Sequence, residues 1–417
     1  MTGAKHLDPR NVMNNKLPSR DWIILPILSL LTISIIAGST ELVARAMFPE
    51  SSGGEDCLPN YVHTPGIRGI PHCVCWGKGR EDRKAGVTRF NSSGYMADQD
   101  FGPKSPGVYR IVLIGSSVAM KLGVLNEKTH TPLLATELSG RTGHPVELYN
   151  EALPGPAGFP ESAALRLNDA LAAEPDLILW VITRSDINYV ADLPDQSEAT
   201  GHEANPMSTW QRIKEDLADH AVGKAESELR NRASSLMKSA KRPLDDSIGS
   251  FLIKHFLYES QSLYLKQSLH GSDDVVGYLK AEPSLKWQNS LKEFDEMAGG
   301  IESRAKDAGV PLALVYVPSA APTAMVSMGR WPVEYDPYTL GNSIRTIIER
   351  HGGAYVDILP DFRTIPNPVQ YYLPVDGHPN QEGQLLQANL IAKKISSGII
   401  PGLRTGTAML DTVKATN

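Results

Sequence analysis

The stretch Arg110-Ile-Val-Leu-Ile-Gly-Ser-Ser117 decides how this chain is to be read. An unbroken apolar run leads straight into a glycine, which predicts a strand that ends in a turn. A serine hydroxyl just past the carboxyl end of such a strand stands at the sheet edge, where open α/β sheets bind their ligands. Near the other end of the chain, Asp376-Gly-His378 offers an imidazole with a carboxylate close by. A hydroxyl is a weak nucleophile until a base takes its proton, and a histidine oriented by a carboxylate is a common base. The two stretches together point to acyl-transfer chemistry.

Outward from that strand, short apolar runs alternate with helical stretches, the pattern of parallel strands joined by crossover helices. Arg110 to Ile114 reads as the first strand, Pro132 to Leu138 as a short helix, Val146 to Tyr149 as a second strand, and Glu161 to Ala173 as a helix with an apolar stripe. Asp176 to Ile182 is the third and most hydrophobic strand, suited to the middle of a covered sheet. After Tyr189 the alternation stops for about a hundred residues, longer than the usual connection within an α/β unit. Ile213, Leu217, Leu229, Ala233 and Leu236 fall there at helical spacing, followed by Ile248 to Leu257, and the segment reads as a helical insertion packed on the domain. Trp287, Leu291, Phe294, Met297 and Ile301 then recur on one helical face, a core stripe and not a cofactor box. Pro311 to Val317, Ile344 to Glu349, Ala354 to Ile358 and Leu385 to Ile395 complete the series as strand, helix, strand and helix.

The 417 residues, 41% hydrophobic and 21% charged, have the composition of a globular protein with room for a substantial core. A net charge of −6 gives no electrostatic reason to expect nucleic acid as a partner, and that class is set aside. Trp22 to Thr40 carries no charged residue and, at about 1.5 Å per residue, is long enough to cross a bilayer core. Lys5, Arg10, Lys16 and Arg20 precede it, whereas only Glu41 and Arg45 follow closely. The positive-inside bias therefore predicts a single-pass inner-membrane protein with its N-terminus in the cytoplasm and the remainder outside. Ala44-Arg-Ala46 resembles a signal-peptidase site, but the apolar run is longer than the usual signal core, so an uncleaved anchor is the preferred reading.

Cys57, Cys73 and Cys75 all follow that span, where an oxidising compartment would let Cys57 pair with one of the other two. His72 beside Cys73-Val-Cys75 suggests metal at first sight, yet no second ligand pair stands at zinc spacing. Residues 49–105 are rich in Gly, Pro, Ser and Asp, with little periodicity beyond Gly86 to Tyr95, and read as a linker merging into the domain edge. Asn91-Ser-Ser93 matches a glycosylation acceptor formally, and chance accounts for so short a motif.

Four blocks in order resemble the SGNH hydrolase superfamily, or GDSL esterases, in the extracytoplasmic, membrane-anchored form found in bacteria. Gly115-Ser116-Ser117 stands where that family has Gly-Asp-Ser, which makes Ser117 the expected nucleophile and leaves Ser116 in place of the Asp. Asn150-Glu-Ala-Leu-Pro-Gly155 keeps the spacing of the family's Asn and of the Gly whose N–H helps to bind the oxyanion. Thr183-Arg184-Ser185-Asp186 replaces Gly-x-Asn-Asp, so Ser185 occupies the position of an oxyanion donor with a shorter side chain, and Asp186 reads as a cap for the segment that follows. Asp376-Gly-His378-Pro-Asn-Gln-Glu-Gly383 supplies the base and its orienting acid, with one residue between them as in related polysaccharide O-acetyltransferases and not the two of many hydrolases.

The resemblance implies a flavodoxin-like three-layer α/β sandwich and a serine-dependent esterase or O-acyl(acetyl)transferase. Ser117, His378 and Asp376 would be catalytic, and Ser117, Gly155 and Ser185 would form the oxyanion hole. No metal or other cofactor is called for. An acylated glycan or another ester is the implied substrate, with envelope polysaccharide machinery as a possible neighbour. The expected organisation is a cytoplasmic arm over residues 1–21, an anchor over 22–42, a linker and domain edge over 43–105, the α/β domain over 106–400 with its insertion over 191–280, and a tail over 401–417. The rival reading, prompted by Ser116 and Ser185, is a catalytically impaired domain that binds glycan or scaffolds an envelope assembly.

Overall fold

The computed structural model describes residues 20–48, 52–53, 57–58, 68–79, 81, 85–97, 100–122, 132–154, 159–190 and 247–405. The stripe Ile213 to Leu236, Gly155 and residues 406–417 lie outside the described residues. The chain divides into two compact units, one formed by the N-terminal helix with the residues up to Ile253 of a later helix, the other by the remaining chain.

In the first unit, α1 (Asp21–Met47) contains the apolar stretch Trp22–Met47, and it is the one helix among the described residues long and apolar enough to cross a membrane. Its leucines and isoleucines are exposed along its length. Near its carboxyl end Ala44 and Phe48 pack with Ile248, and the Phe48 and Phe251 rings meet edge-on at 5.3 Å. Glu41 Oε2 accepts from the Gly249 N–H at 3.0 Å.

The second unit opens with a three-stranded antiparallel sheet, β1 (Ser52–Gly53), β2 (Val74–Lys78) and β3 (Ala85–Arg89), in the segment expected as a linker and domain edge. Cys57 is bonded to Cys73, and buried Cys75 packs with Phe90, Tyr95 and Leu153 in a small core that compensates for the low apolar content. Asn91 turns inward, its Oδ1 accepting from the N–H groups of Ser93 and Tyr95.

The main sheet follows the expected alternation. β4 (Tyr109–Gly115), α2 (Ser117–Leu122), α3 (Leu133–Thr142), β5 (Val146–Asn150), α4 (Pro160–Leu165), α5 (Leu167–Ala172), β6 (Leu177–Ile182) and α6 (Arg184–Val190) form its first half. The region read as an insertion contributes α7 (Ile248–Tyr258), α8 (Gln261–Leu269) and α9 (Asp273–Val276). Then come α10 (Leu285–Asp307), β7 (Leu312–Tyr316), α11 (Ala320–Met328), α12 (Thr339–His351), β8 (Ala354–Asp357) and α13 (Gln381–Lys394). The five strands are all parallel in the order β5-β4-β6-β7-β8, the flavodoxin-like order, which bears out the fold read from the sequence.

Period-two alternation explains why both faces are covered. Val112 and Ile114 of β4 and Ile178, Trp180 and Ile182 of β6 face α4, α5, α10 and α12, whereas Ile111, Leu113, Leu177, Leu179 and Val181 face α2, α3 and α13. The stretch read as one helix from Glu161 to Ala173 is broken at Arg166 (φ −88°, ψ 0°). Arg166 is buried, and its Nη1 donates to the Glu151 carbonyl at 2.9 Å, a tertiary bond that overrides the local periodicity.

Candidate active site

The nucleophile candidate sits where β4 stops. Gly115 has φ +142°, and a Cβ there would lie 2.1 Å from the Val181 carbonyl oxygen of neighbouring β6, so both conformation and space require glycine. The turn throws Ser117 to the carboxyl edge of the sheet as the first residue of α2. Ser116 is buried and donates to Asp186 Oδ2 at 3.1 Å. The same carboxylate oxygen accepts from the Thr183 N–H and hydroxyl at 2.7 Å each, so Asp186, expected to cap the segment after it, instead lies inside the first turn of α6, caps that helix by reaching back, and also pins the turn at Ser116. Burial pushes the Asp186 carboxyl up in pKa, against the hydrogen bonds from Thr183 and Ser116.

The base candidate comes from the loop between a 3₁₀ turn (Pro368–Tyr371) and α13. That loop closes on itself: Leu373 N–H donates to the His378 carbonyl and Gly377 N–H to the Leu373 carbonyl, both at 2.8 Å, with Gly377 at φ +81°. Asn380 then caps α13, its Oδ1 accepting from Gly383 N–H at 2.9 Å. His378 Nε2 lies 2.7 Å from Ser117 Oγ, and His378 Nδ1 lies 2.6 Å from Asp376 Oδ1. An ionised carboxylate only accepts, so Nδ1 carries the proton and Nε2 is left to accept from the serine. Across 261 residues of sequence, the fold has brought together the three side chains singled out as catalytic candidates.

The other candidates fare unevenly. Asn150 is buried and structural, its Nδ2 donating to the Met120 carbonyl and its Oδ1 accepting from Ala152 N–H, which ties the loop after β5 to α2. Ser185 lines the pocket beside Ser117 and is exposed, while its own N–H donates to Thr183 Oγ1 at 3.2 Å. Its backbone N–H is thus already engaged.

The pocket holds about 280 Å³, near the lower end of the roughly 300–1,000 Å³ of small-molecule sites. Phe159, Tyr264, Tyr278 and Tyr372 form much of its wall. Burial pushes the phenols of Tyr264, Tyr278 and Tyr372 up in pKa, so they remain neutral hydroxyls, and two of them bond to Ser319 Oγ and the Pro318 carbonyl at 2.8 Å. Arg184, also in the wall, places its guanidinium 5.4 Å from the Tyr278 ring centroid. Among the described residues no cluster of His, Cys, Asp or Glu is arranged to hold a metal ion, and Cys73, which had suggested one, is in the disulfide.

A site element that sequence reasoning missed is Glu81, in the turn between β2 and β3. Its carboxylate accepts from the N–H groups of Val375 and Asp376. Nothing in the charged run around it signals such a partner.

No protein-family model and no curated protein matches the chain. Among solved structures it is similar to a lipase/acylhydrolase from Enterococcus faecalis, at 15% identity over 69% of this chain and 95% of that one, with a TM-score of 0.32. It is likewise similar to a catalytic mutant of an acetylxylan esterase from Geobacillus stearothermophilus, at 11% identity over 71% of this chain and 96% of that one, with a TM-score of 0.36.

Proposed function

We propose that this chain is a serine-dependent acyl ester hydrolase or O-acyltransferase that works outside the cytoplasm on an acylated glycan. The observation that carries this reading is the hydrogen-bonded line from Ser117 Oγ through the His378 ring to Asp376 Oδ1, at 2.7 and 2.6 Å. Ser117 Oγ attacks the ester carbonyl as His378 Nε2 takes its proton, and Asp376 steadies the imidazolium that forms. Collapse of the tetrahedral adduct breaks the bond to the leaving alcohol, which receives that proton and leaves the acyl group on Ser117. Water or a sugar hydroxyl then repeats the sequence in reverse, which gives hydrolysis or transfer respectively. Ser117, Gly155 and Ser185 are assigned to the carbonyl oxygen as it becomes negative.

The small pocket with aromatic walls suits a short acyl group, acetyl above all, on a sugar whose apolar face rests against a ring. The disulfide and the apolar α1 support an extracytoplasmic, membrane-anchored site beside envelope polysaccharide machinery. The test is turnover of aryl acetates and labelling by a fluorophosphonate probe. Both are expected in the native chain, and both should vanish in Ser117→Ala and in His378→Ala. A native chain that neither turns over nor labels would leave the impaired, scaffolding reading in possession. Mass spectrometry of surface glycans from a deletion strain tests the substrate, with altered acylation the expected result.

A further inference from the structure

The loop that carries Asp376 and His378 is exposed at its crown, and its backbone donors can be accounted for one by one. Leu373 N–H goes to the His378 carbonyl, Gly377 N–H to the Leu373 carbonyl, and His378 N–H to Asp376 Oδ1. Pro374 has no N–H. The two that remain, on Val375 and Asp376, both go to one side chain from another part of the molecule, the carboxylate of Glu81. Val375 N–H lies 3.1 and 3.2 Å from its two oxygens, and Asp376 N–H lies 2.7 Å from Oε2.

Glu81 is itself held. Its side chain is 2% exposed, and Oε1 accepts from His255 Nδ1 of α7 at 2.8 Å. A buried carboxylate is costly unless its lone pairs are filled, and here three donors fill them. The Asp376 side chain, by contrast, is 48% exposed. Within the loop, Asp376 Oδ1 accepts from the His378 N–H, and from outside the loop the peptide that carries the acid is held by Glu81.

We infer that Glu81, fixed by His255, is a positioning residue that sets the Asp376–His378 pair against Ser117. This rests on the proposed serine chemistry and extends it to the small antiparallel sheet, whose β2–β3 turn delivers Glu81 across 295 positions of sequence. Without the carboxylate, two adjacent N–H groups lose their acceptor and the crown is free to swing. A displacement of about 1 Å in a catalytic array costs roughly a hundredfold in rate.

The experiment uses the detergent-solubilised full chain and an aryl acetate. Glu81→Ala should lower kcat about 10- to 100-fold with KM within about twofold, and should slow fluorophosphonate labelling in parallel. Glu81→Gln, which keeps one acceptor oxygen, should recover part of that loss, and it serves in place of Glu81→Ala if the alanine variant does not fold. In an Asp376→Ala background, Glu81→Gln should cost less than about threefold further, because its effect runs through Asp376. Native kcat in both Glu81 variants, or losses that multiply in full in the Asp376→Ala background, would overturn the inference. Turnover that survives Ser117→Ala would sink the serine reading itself. Dependence on Ser117 and Asp376 with indifference to Glu81 would sink the positioning role alone.

Discussion

The nucleophile turn and the base loop meet at 2.7 Å but are built on opposite plans. The turn at Gly115–Ser117 is part of the sheet: Ser116 is buried, Gly115 has no room for a methyl group, and Asp186 clamps it from the first turn of α6. The loop at Leu373–His378 stands out from the sheet, with Asp376 and His378 side chains 48% and 34% exposed, and a handful of hydrogen bonds define it. One half of the site is fixed by packing and the other by polar contacts. Leaving aside the reacting side chains themselves, damage to the frame of the first should appear as lost stability, and damage to the frame of the second as lost rate.

That contrast can be attacked from both sides. The largest effect should come from Ser117→Ala and His378→Ala, each lowering kcat/KM for an aryl acetate by about 10³-fold or more, equivalent to at least about 4 kcal/mol of transition-state stabilisation. Steady-state kinetics on the purified chain measures it, with unchanged thermal melting as the companion result. Next, Gly115→Ala should destabilise the fold by about 2–5 kcal/mol through its positive φ and its overlap with the Val181 carbonyl, read as a lower denaturant midpoint. Gly377→Ala puts a methyl group into open space at φ +81°, so about 1–2 kcal/mol of backbone strain is expected, with the loss felt mainly in kcat. If the two glycines prove equally costly to stability, the contrast between packed turn and exposed loop fails.

A smaller effect comes from the core behind the turn. Burial pushes the carboxyl of Glu151, two residues before Leu153, up to about 8, against the pull of Arg166. The folded chain thus holds a proton that the unfolded chain releases above its ordinary value near 4.5. Stability should be highest below that value, fall as pH rises towards 8, and level off once both states are ionised. Glu151→Gln should flatten this decline by at least about 1 kcal/mol, visible as a smaller drop in Tm between pH 5 and pH 8.5.

How much of this was legible in the sequence depended on range. The strands were plain because a buried strand writes itself as an apolar run, and β4, β6 and β7 came within a residue or so of their bounds. Ser117, Asp376 and His378 could be picked out as candidates because residue type and chain order mark them, and the fold brings them together. The break at Arg166 could not, since it depends on a buried guanidinium finding the Glu151 carbonyl. Nor could the antiparallel sheet of β1 to β3, whose stability draws on a disulfide and a few aromatics more than on periodicity. Glu81 was hidden for the plainest reason: its only signal is a partner 295 positions away.

The order in which the parallel strands leave the ribosome gives that separation a temporal meaning. Ser117 emerges early, yet its base follows 261 residues later, which at about 5–20 residues per second is an interval of roughly ten to fifty seconds. Throughout that time the hydroxyl has no imidazole beside it, and for the earlier part of it β7 and β8, the last two strands on that side of the sheet, are missing as well. On the proposed serine chemistry, a nascent chain is therefore silent toward esters until His378 has been made.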